Sequence, residues 1–298
     1  MKTNIKLLSL VFLGLLFITA CKKDKINNNA NVEGFRTIVR GSDTREYIIH
    51  IPRSYNTNNP TPLIINFHGF GGTAADFIKE SGSGSNGLNA VADNNNFLVA
   101  YPQGVERSKG DAEWDPGDNG STNINDNDIY FTEQLIAEIS TEFNVDPNKV
   151  YATGYSNGGM MAYGLACKKA DKIAAVGIMS GIMLNDNTCN ASQFTSVIHF
   201  HGTDDGVLPY NGNGDFQPVA DVVNFWLNHN SIPATSLVST PLNSNRVQRD
   251  VYSGGNGNTD YHLYKMNNGG HVWFSENIVG KNTNQILWEF LSAYSLTD

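Results

Sequence analysis

Short apolar runs separated by polar, glycine-rich stretches recur along the chain, and their spacing predicts alternating strands and helices. Residues 45–52 alternate apolar and polar side chains, which is typical of a half-exposed strand, and residues 35–40 are its expected hairpin partner. Apolar runs predict a strand after Pro147 and further strands at residues 62–67, 97–102, 173–179, 196–200, 246–252 and 261–265. Helical spacing predicts a helix that follows the Pro147 strand and ends near residue 170, and others at residues 87–94, 128–143, 219–228 and 284–294.

Strands that alternate with helices predict a mostly parallel α/β sheet with helices on both faces, here with an antiparallel start. The sequence has no internal repeat and no mid-chain linker, so we expect residues 35–298 to form one domain. In such sheets the chemistry gathers in loops at the carboxyl ends of the strands. The loop at residues 103–127 is long for a compact domain, which indicates a functional role.

The N-terminal segment has the features of an export signal. Residues 7–20 form an apolar run that is shorter than the roughly 20 residues of a membrane-spanning helix. Ile-Thr-Ala-Cys at residues 18–21 resembles a bacterial lipobox, which predicts a signal peptide at residues 1–20 and lipidation of Cys21. An ordinary signal peptide with a chance cysteine is the alternative. The Lys- and Asn-rich start of residues 21–34 predicts a flexible tether.

The chain is acidic. Its net charge is −9, and loss of residues 1–20, which contain Lys2 and Lys6 and no acid, takes the charge to −11. An acidic protein lacks the basic face that nucleic acid requires, so we exclude nucleic acid as a partner.

The exported chain contains two cysteines besides Cys21. A disulfide between Cys167 and Cys189 is predicted, with two buried free thiols as the alternative. No cysteine or histidine spacing indicates zinc, and the acidic loop at residues 111–128 lacks the ligand spacing of an EF-hand calcium loop. The sequence therefore predicts no metal and no cofactor.

Gly154, Ser156 and Gly158 follow an apolar run and precede a helix-like segment. That order is typical of a nucleophile elbow, in which the chain leaves a strand, turns sharply at a serine and enters a helix. The flanking residues must lack a Cβ in so tight a turn, and the helix N-terminus favours developing negative charge. A glycine-rich turn with an idle serine is the alternative, and the residues that accompany Ser156 decide between the two.

A serine hydroxyl needs a base to take its proton, and an acid must orient that base. In α/β-hydrolases the chain order is serine, then Asp or Glu, then histidine. Asp204 and Asp205 end the strand at residues 196–200, and His271 follows the strand at residues 261–265. Of the seven histidines, only His271 comes after the acid and just beyond a strand, so we predict it as the base. Spacing leaves the choice between the two aspartates open.

An ester-cleaving serine also needs two backbone N–H groups that stabilise the oxyanion. One is expected from Asn157, directly after the serine, and the other from Phe70, in the loop after the strand at residues 62–67. The glycines in His-Gly-Phe-Gly-Gly at residues 68–72 let that backbone approach a substrate. An ordinary glycine turn is the alternative.

Several motifs in this order resemble a known family. They are Gly-Tyr-Ser-Asn-Gly-Gly at residues 154–159, His-Gly-Thr-x-Asp at 201–205, Val-x-Pro-Tyr at 207–210 and Gly-Gly-His-x-Trp at 269–273. Together they resemble the secreted feruloyl esterases, acetylxylan esterases and polyhydroxybutyrate-depolymerase-like esterases of carbohydrate esterase family one. The resemblance covers most of residues 35–295, implies an α/β-hydrolase fold, and puts the acid at Asp205 with Asp204 in a variable position.

Two positions depart from the family pattern. Asn127 stands in place of the first of two acids that begin a helix in the family, so we interpret Asp128 as a structural residue with a helix cap as its expected role. Phe274 stands where family members often have proline, which bears on the rim of the pocket and leaves the triad intact.

About 16 residues separate the strands at residues 173–179 and 196–200, where α/β-hydrolases usually carry a lid, so no large lid domain is expected. An uncovered site suits a bulky or polymeric ester. Trp114, Tyr210 and Trp273 are candidate platforms for a sugar or an aromatic acyl group, with core packing as the alternative.

These residues predict a serine esterase in which Ser156 attacks the ester, His271 transfers the proton and Asp205 orients the ring. Feruloyl or acetyl esters on plant polysaccharide are the favoured substrates, and polyhydroxyalkanoate is the alternative. A non-catalytic surface binding protein on the same fold is the alternative of another class. We expect a monomer, anchored to the bacterial cell envelope only through the lipid on Cys21, or extracellular.

Overall fold

The computed structural model describes residues 34–107, 110–184, 189–190 and 193–296, so the predicted signal peptide, Cys21 and nearly all of the tether lie outside the described residues. The strands are β1 Phe35–Arg40, β2 Asp43–His50, β3 Thr61–Phe67, β4 Leu98–Pro102, β5 Val105–Glu106, β6 Ala112–Glu113, β7 Val145–Tyr155, β8 Ala175–Met179, β9 Ser196–Gly202, β10 Val238–Leu242, β11 Val247–Tyr252, β12 Tyr261–Met266, β13 Asn277–Ile278 and β14 Lys281–Asn282. The α-helices are α1 Ala74–Phe77, α2 Leu88–Asn95, α3 Asp128–Glu142, α4 Asn157–Lys168, α5 Val219–His229 and α6 Thr283–Leu291. A π-helical turn at Ile78–Gly82 follows α1, and 3-10 turns lie at Ala234–Ser236 and Asn256–Asn258.

One large sheet organises the described part of the chain. Its ten strands lie in the order β1-β2-β4-β3-β7-β8-β9-β12-β11-β10. The six central strands, β4, β3, β7, β8, β9 and β12, run parallel to one another. The outer strands, β1 and β2 at one edge and β11 and β10 at the other, pair in antiparallel fashion. The predicted mostly parallel sheet with an antiparallel start is confirmed.

Helices cover both faces of this sheet. Leu63 and Ile65 of β3 pack into the core layer that contains α3, α4 and α5, whereas Ile64 packs into the layer that contains α1, α2 and α6. Successive side chains of a strand point to opposite faces, and all three residues are fully buried. Burial on both faces explains why this strand is a continuous apolar run in the sequence.

The start of α3 differs from the expectation. The side chain of Asn127 accepts a hydrogen bond from the Tyr130 N–H (3.1 Å), so Asn127 is the N-cap of the helix. The helix cap expected at Asp128 is therefore wrong, because the cap lies one residue earlier and Asp128 is the first residue of the helix.

A disulfide joins Cys167, near the end of α4, to Cys189 in the segment that leads to β9, as predicted. A membrane-crossing helix would need a long apolar stretch, and no described helix has one.

Candidate active site

Ser156 occupies a sharp turn between β7 and α4, with φ 55° and ψ −119°. A Cβ on Gly154 would lie 2.3 Å from the backbone of Gly158, and a Cβ on Gly158 would lie 2.1 Å from the Phe67 carbonyl oxygen. Both distances are far below van der Waals contact, so these two positions require glycine. The turn has the geometry of the predicted elbow.

The side chains of Ser156, His271 and Asp205 form a continuous hydrogen-bonded chain. His271 Nε2 lies 2.9 Å from Ser156 Oγ, and His271 Nδ1 lies 2.8 Å from Asp205 Oδ2. The three residues follow β7, β12 and β9, whose carboxyl ends meet at one edge of the parallel sheet. The sheet thus brings together the three residues that the sequence predicts.

The carboxylate of Asp205 is buried and fully engaged. Its Oδ1 accepts hydrogen bonds from the N–H groups of Val207 (2.9 Å) and Leu208 (2.8 Å). Burial acts to raise the pKa of Asp205, but the hydrogen bonds from His271, Leu208 and Val207 outweigh it, so the pKa is lowered overall. A charged carboxylate therefore faces the imidazole.

Asp204 points elsewhere. It is exposed, and its carboxylate accepts a hydrogen bond from the Thr203 hydroxyl (3.1 Å). Its backbone N–H donates to the Gly269 carbonyl (2.9 Å), which ties the loop after β9 to the loop that carries His271. The geometry thus separates the two aspartates that spacing leaves open.

A tyrosine that sequence reasoning missed helps to hold the histidine loop. The Tyr155 hydroxyl donates to the His271 carbonyl oxygen (2.9 Å), and the two rings lie 5.0 Å apart. Burial raises the pKa of Tyr155 to about 12, so the hydroxyl keeps the proton that it donates. The Ser180 hydroxyl similarly donates to the Val272 carbonyl oxygen (2.8 Å).

The loop after β3 borders the serine. A Cβ on Gly69 would lie 3.4 Å from Ser156 Cβ, so the backbone of this loop passes directly beside the nucleophile position. Within the described part of the chain, the adjacent Phe70 N–H has no hydrogen-bond acceptor. Asn157 begins α4, and the first N–H groups of a helix have no partner within it. The backbone segments that carry the two predicted oxyanion N–H groups, those of Phe70 and Asn157, therefore both lie next to Ser156.

The side chain of Asn157 makes a contact that the sequence does not signal. Its Oδ1 accepts from the Trp114 N–H (2.8 Å), and its Nδ2 donates to the Trp114 carbonyl oxygen (3.0 Å). The Trp114 indole N–H in turn donates to the His68 carbonyl oxygen (2.9 Å). This pairing fastens the loop after β4 to both backbone segments beside Ser156.

The three candidate aromatic platforms differ in exposure. Trp114 and Trp273 are only 2% and 5% exposed, and the Trp273 indole N–H donates to Asn284 Oδ1 (3.2 Å). A ring that binds a sugar needs an open face, so burial favours the core-packing alternative for both tryptophans. Tyr210 is partly buried, with the Lys265 ammonium 5.0 Å from its ring centre.

Asp128 lies at the centre of a buried ionic cluster. Its carboxylate contacts Arg45 Nη1 and Arg107 Nη1, each at 2.8 Å, and accepts a hydrogen bond from the Asp115 N–H (2.7 Å). The carboxylate therefore holds the start of α3 against the loop that carries Trp114. Among the residues that the structure describes, no group of three His, Cys, Asp or Glu side chains is arranged to hold a metal ion.

The chain is similar in sequence to known esterases. A family model described as a putative esterase matches residues 41–275. Feruloyl esterase B of Piromyces equi is 27% identical over 265 residues, which cover 85% of this chain but only 46% of that enzyme. A probable feruloyl esterase C of Aspergillus niger is 27% identical over 251 residues, which cover 84% of each chain.

The fold is also found among solved structures. The acetyl xylan esterase from Aspergillus awamori superposes with a TM-score of 0.62 at 14% identity, covering 87% of this chain and 99% of that one. At this identity the likeness concerns the fold alone, and it confirms the predicted α/β-hydrolase architecture.

Proposed function

Because the chain belongs to the putative esterase family of carboxylic ester hydrolases, we propose that it is a serine esterase that cleaves feruloyl or acetyl esters on plant polysaccharide. The feruloyl esterases among its relatives support this substrate class. The single observation that carries the proposal is the hydrogen-bonded chain from Ser156 through His271 to Asp205.

In the proposed mechanism, His271 Nε2 takes the proton from Ser156 Oγ as that oxygen bonds to the ester carbonyl carbon. Asp205 holds the ring and stabilises the imidazolium, while the N–H groups of Phe70 and Asn157 stabilise the tetrahedral oxyanion. The imidazolium then gives its proton to the departing alcohol, and an acyl ester remains on Ser156. Water, deprotonated by the same imidazole, hydrolyses this ester, releases the acid and restores the serine hydroxyl.

Covalent labelling separates this enzyme from a non-catalytic binding protein. A fluorophosphonate should label the native protein with one group per chain, because a serine activated by His271 attacks phosphorus as it attacks an ester. The Ser156→Ala variant should remain unlabelled. A folded native protein that takes up no label would leave only the binding-protein hypothesis.

Exposed apolar side chains close in sequence to the proposed catalytic residues favour a substrate with an apolar part. Phe70, Val207 and Val272 are 51%, 58% and 45% exposed. Phe70 is itself a proposed oxyanion residue, and Val207 and Val272 follow Asp205 and His271 within two residues. Exposed apolar surface of this kind fits an aromatic acyl ring, and it equally fits an aliphatic polyester. Polyhydroxyalkanoate is therefore the second candidate substrate.

A substrate panel discriminates the two candidates. Purified protein is assayed on p-nitrophenyl acetate, methyl ferulate, acetylated xylan and short-chain polyhydroxybutyrate. We expect the rate of hydrolysis of methyl ferulate, or of acetate release from xylan, to exceed the rate of hydroxybutyrate release from the polyester at equal enzyme concentration. Preferential release of hydroxybutyrate would assign the protein to polyester degradation instead.

We further propose that residues 1–20 direct export and that Cys21 carries the lipid, so that residues 21–34 tether the domain to the cell envelope. Expression in a bacterial host with labelled palmitate should give a labelled membrane protein, and Cys21→Ala should give an unlabelled one. Equal labelling of both proteins would exclude this anchor.

A further inference from the structure

Four buried side chains form a row of hydrogen bonds behind Asp205, and the proposed mechanism uses none of them. They are His201 and His199 of β9, Tyr261 of β12 and Tyr163 of α4, each of which is fully buried. The two histidines are two residues apart on one strand, so they lie on the same face of the sheet. Burial of polar side chains in a core costs free energy, so a row of four buried polar side chains indicates a function.

The protons in this row can be assigned from its contacts. His201 Nε2 lies 2.8 Å from the Leu208 carbonyl oxygen, which only accepts, so Nε2 carries the hydrogen. Burial lowers the pKa of both histidines, so both rings are neutral and His201 Nδ1 is an acceptor. His199 Nε2, 3.1 Å away, must then donate to it. His199 Nδ1 accepts from Tyr163 or Tyr261, whose hydroxyls each lie at 3.1 Å.

The hydrogen bonds that run from a tyrosine hydroxyl through His199 and His201 therefore all point towards Asp205, whereas the bond between the two tyrosine hydroxyls (3.1 Å) lies at the far end of the row. The His201 Nε2–H at the end of the row also lies 3.4 Å from Asp205 Oδ2, and Leu208, whose carbonyl it holds, donates its own N–H to Asp205 Oδ1 (2.8 Å). Aligned hydrogen bonds polarise one another in a medium of low dielectric, so the positive end of the row faces the carboxylate. A carbonyl terminates the row, and a carbonyl has no proton to pass on, so the row is not a proton relay.

We propose that His201 is a positioning residue for the esterase reaction. Its Nε2–H, fixed by His199 and by a single tyrosine hydroxyl that donates to His199, holds the turn from Asp205 to Leu208 in the conformation that aims the carboxylate at His271. The expected effect on kcat rests on the proposed esterase function, whereas the proton positions and the hold on the turn do not. The ionisable groups that face His201 are Asp205, His199, His271 and Tyr210.

The kinetic test compares variants that remove or keep the donor. His201→Phe should lower kcat by roughly tenfold to a hundredfold. Without the bond to the Leu208 carbonyl, the turn loosens and the N–H bonds of Leu208 and Val207 to the charged Asp205 carboxylate weaken, and a hydrogen bond to a charged group has about that value in rate. KM should stay within about threefold, since His201 does not reach the substrate. The acid limb of kcat/KM should move to higher pH, because a carboxylate with fewer donors holds the imidazolium more strongly.

Two further variants complete the comparison. His201→Gln supplies one donor and one acceptor on its amide, so it should restore most of kcat and the position of the acid limb. Tyr163→Phe is the matched control, because Tyr261 still donates to His199 from 3.1 Å, and it should leave both quantities unchanged. A folded His201→Phe variant with native kcat and a native acid limb would overturn the proposal, as would one that loses only thermal stability.

A measurement on the native protein keeps the inference testable if His201→Phe does not fold. Long-range proton–nitrogen spectra of ¹⁵N-labelled protein report the tautomer of each histidine. Because burial lowers the pKa of both rings below its ordinary value, we expect His199 and His201 to be neutral and protonated on Nε2 from pH 6.5 to pH 9. A proton on His201 Nδ1, or a charged ring in this range, contradicts the inference whether or not the protein proves to be an esterase.

Discussion

At the scale of single residues, the two adjacent aspartates give the sharpest prediction. Asp205→Asn should lower kcat about 10⁴-fold, because an amide in that position favours the wrong tautomer of His271 and no longer stabilises the imidazolium. The hydrogen bond from His271 Nδ1 to Asp205 Oδ2 (2.8 Å) is the interaction that is lost. Steady-state kinetics on p-nitrophenyl acetate measure the change.

Asp204→Asn is the matched control for that substitution. The Asp204 side chain is exposed and contacts Thr203, so its loss should leave kcat within about threefold of the native value. Equal losses in the two variants would refute the assignment of the acid to Asp205.

Single residues also mark what the sequence could not predict. Asp204 and Asp205 both end β9, and the choice between them depends on the turn that folds the N–H groups of Val207 and Leu208 back onto Oδ1. No spacing signals the pairing of Asn157 with the Trp114 backbone, because the two positions are 43 residues apart. The burial of Trp114 and Trp273 could not be predicted from residue type alone, because an indole ring suits both a core and a binding surface.

At the scale of elements, the packing of α4 against the end of β3 gives the second prediction. A Cβ on Gly158 would lie 2.1 Å from the Phe67 carbonyl oxygen, so Gly158→Ala must push the helix away from the strand. We expect a loss of about 1–3 kcal/mol in the free energy of unfolding. Activity should fall by roughly 10²-fold, because a displacement of about 1 Å moves Ser156 out of line with His271. Urea unfolding and esterase assays measure the two effects.

Gly214→Ala is the control for that substitution. A Cβ there meets nothing within 4 Å, and the residue has no positive φ. Both quantities should stay near their native values. A Gly158→Ala enzyme as active as the control would show that the elbow tolerates the shift.

Elements differed in how well the sequence predicted them. The central strands and the longer helices bury one or both faces in the core, so their apolar residues recur at regular intervals that the sequence shows clearly. The edge strand β10 was not predicted, because three of its five residues are exposed and Pro241, a residue that is uncommon in strands, lies within it. Helix α1 has four residues, too few to show a helical period, and a π-helical turn follows it. Short and exposed elements depend on tertiary context that no local pattern contains.

At the scale of the whole molecule, the buried histidines couple stability to pH. Burial lowers the pKa of His68 and of His262 to about 4, and it also lowers the pKa of His199 and His201. In the unfolded chain these rings take up a proton below about pH 6.5. The folded state binds fewer protons than the unfolded state between these limits, so stability must fall as the pH drops from 6.5 towards 4.

The last prediction gives this coupling a magnitude. His68 and His262, whose pKa values burial lowers to about 4, should each contribute about 1.4 kcal/mol per pH unit to the slope of the unfolding free energy between pH 4 and pH 6.5. Burial raises the pKa of Glu80, so that carboxyl acts with the opposite sign and offsets part of the slope. His262→Gln removes one titrating ring and should reduce the slope by about 1.4 kcal/mol per pH unit. Urea unfolding of both proteins at several pH values measures this, and equal slopes would mean that His262 takes up its proton without unfolding of the chain.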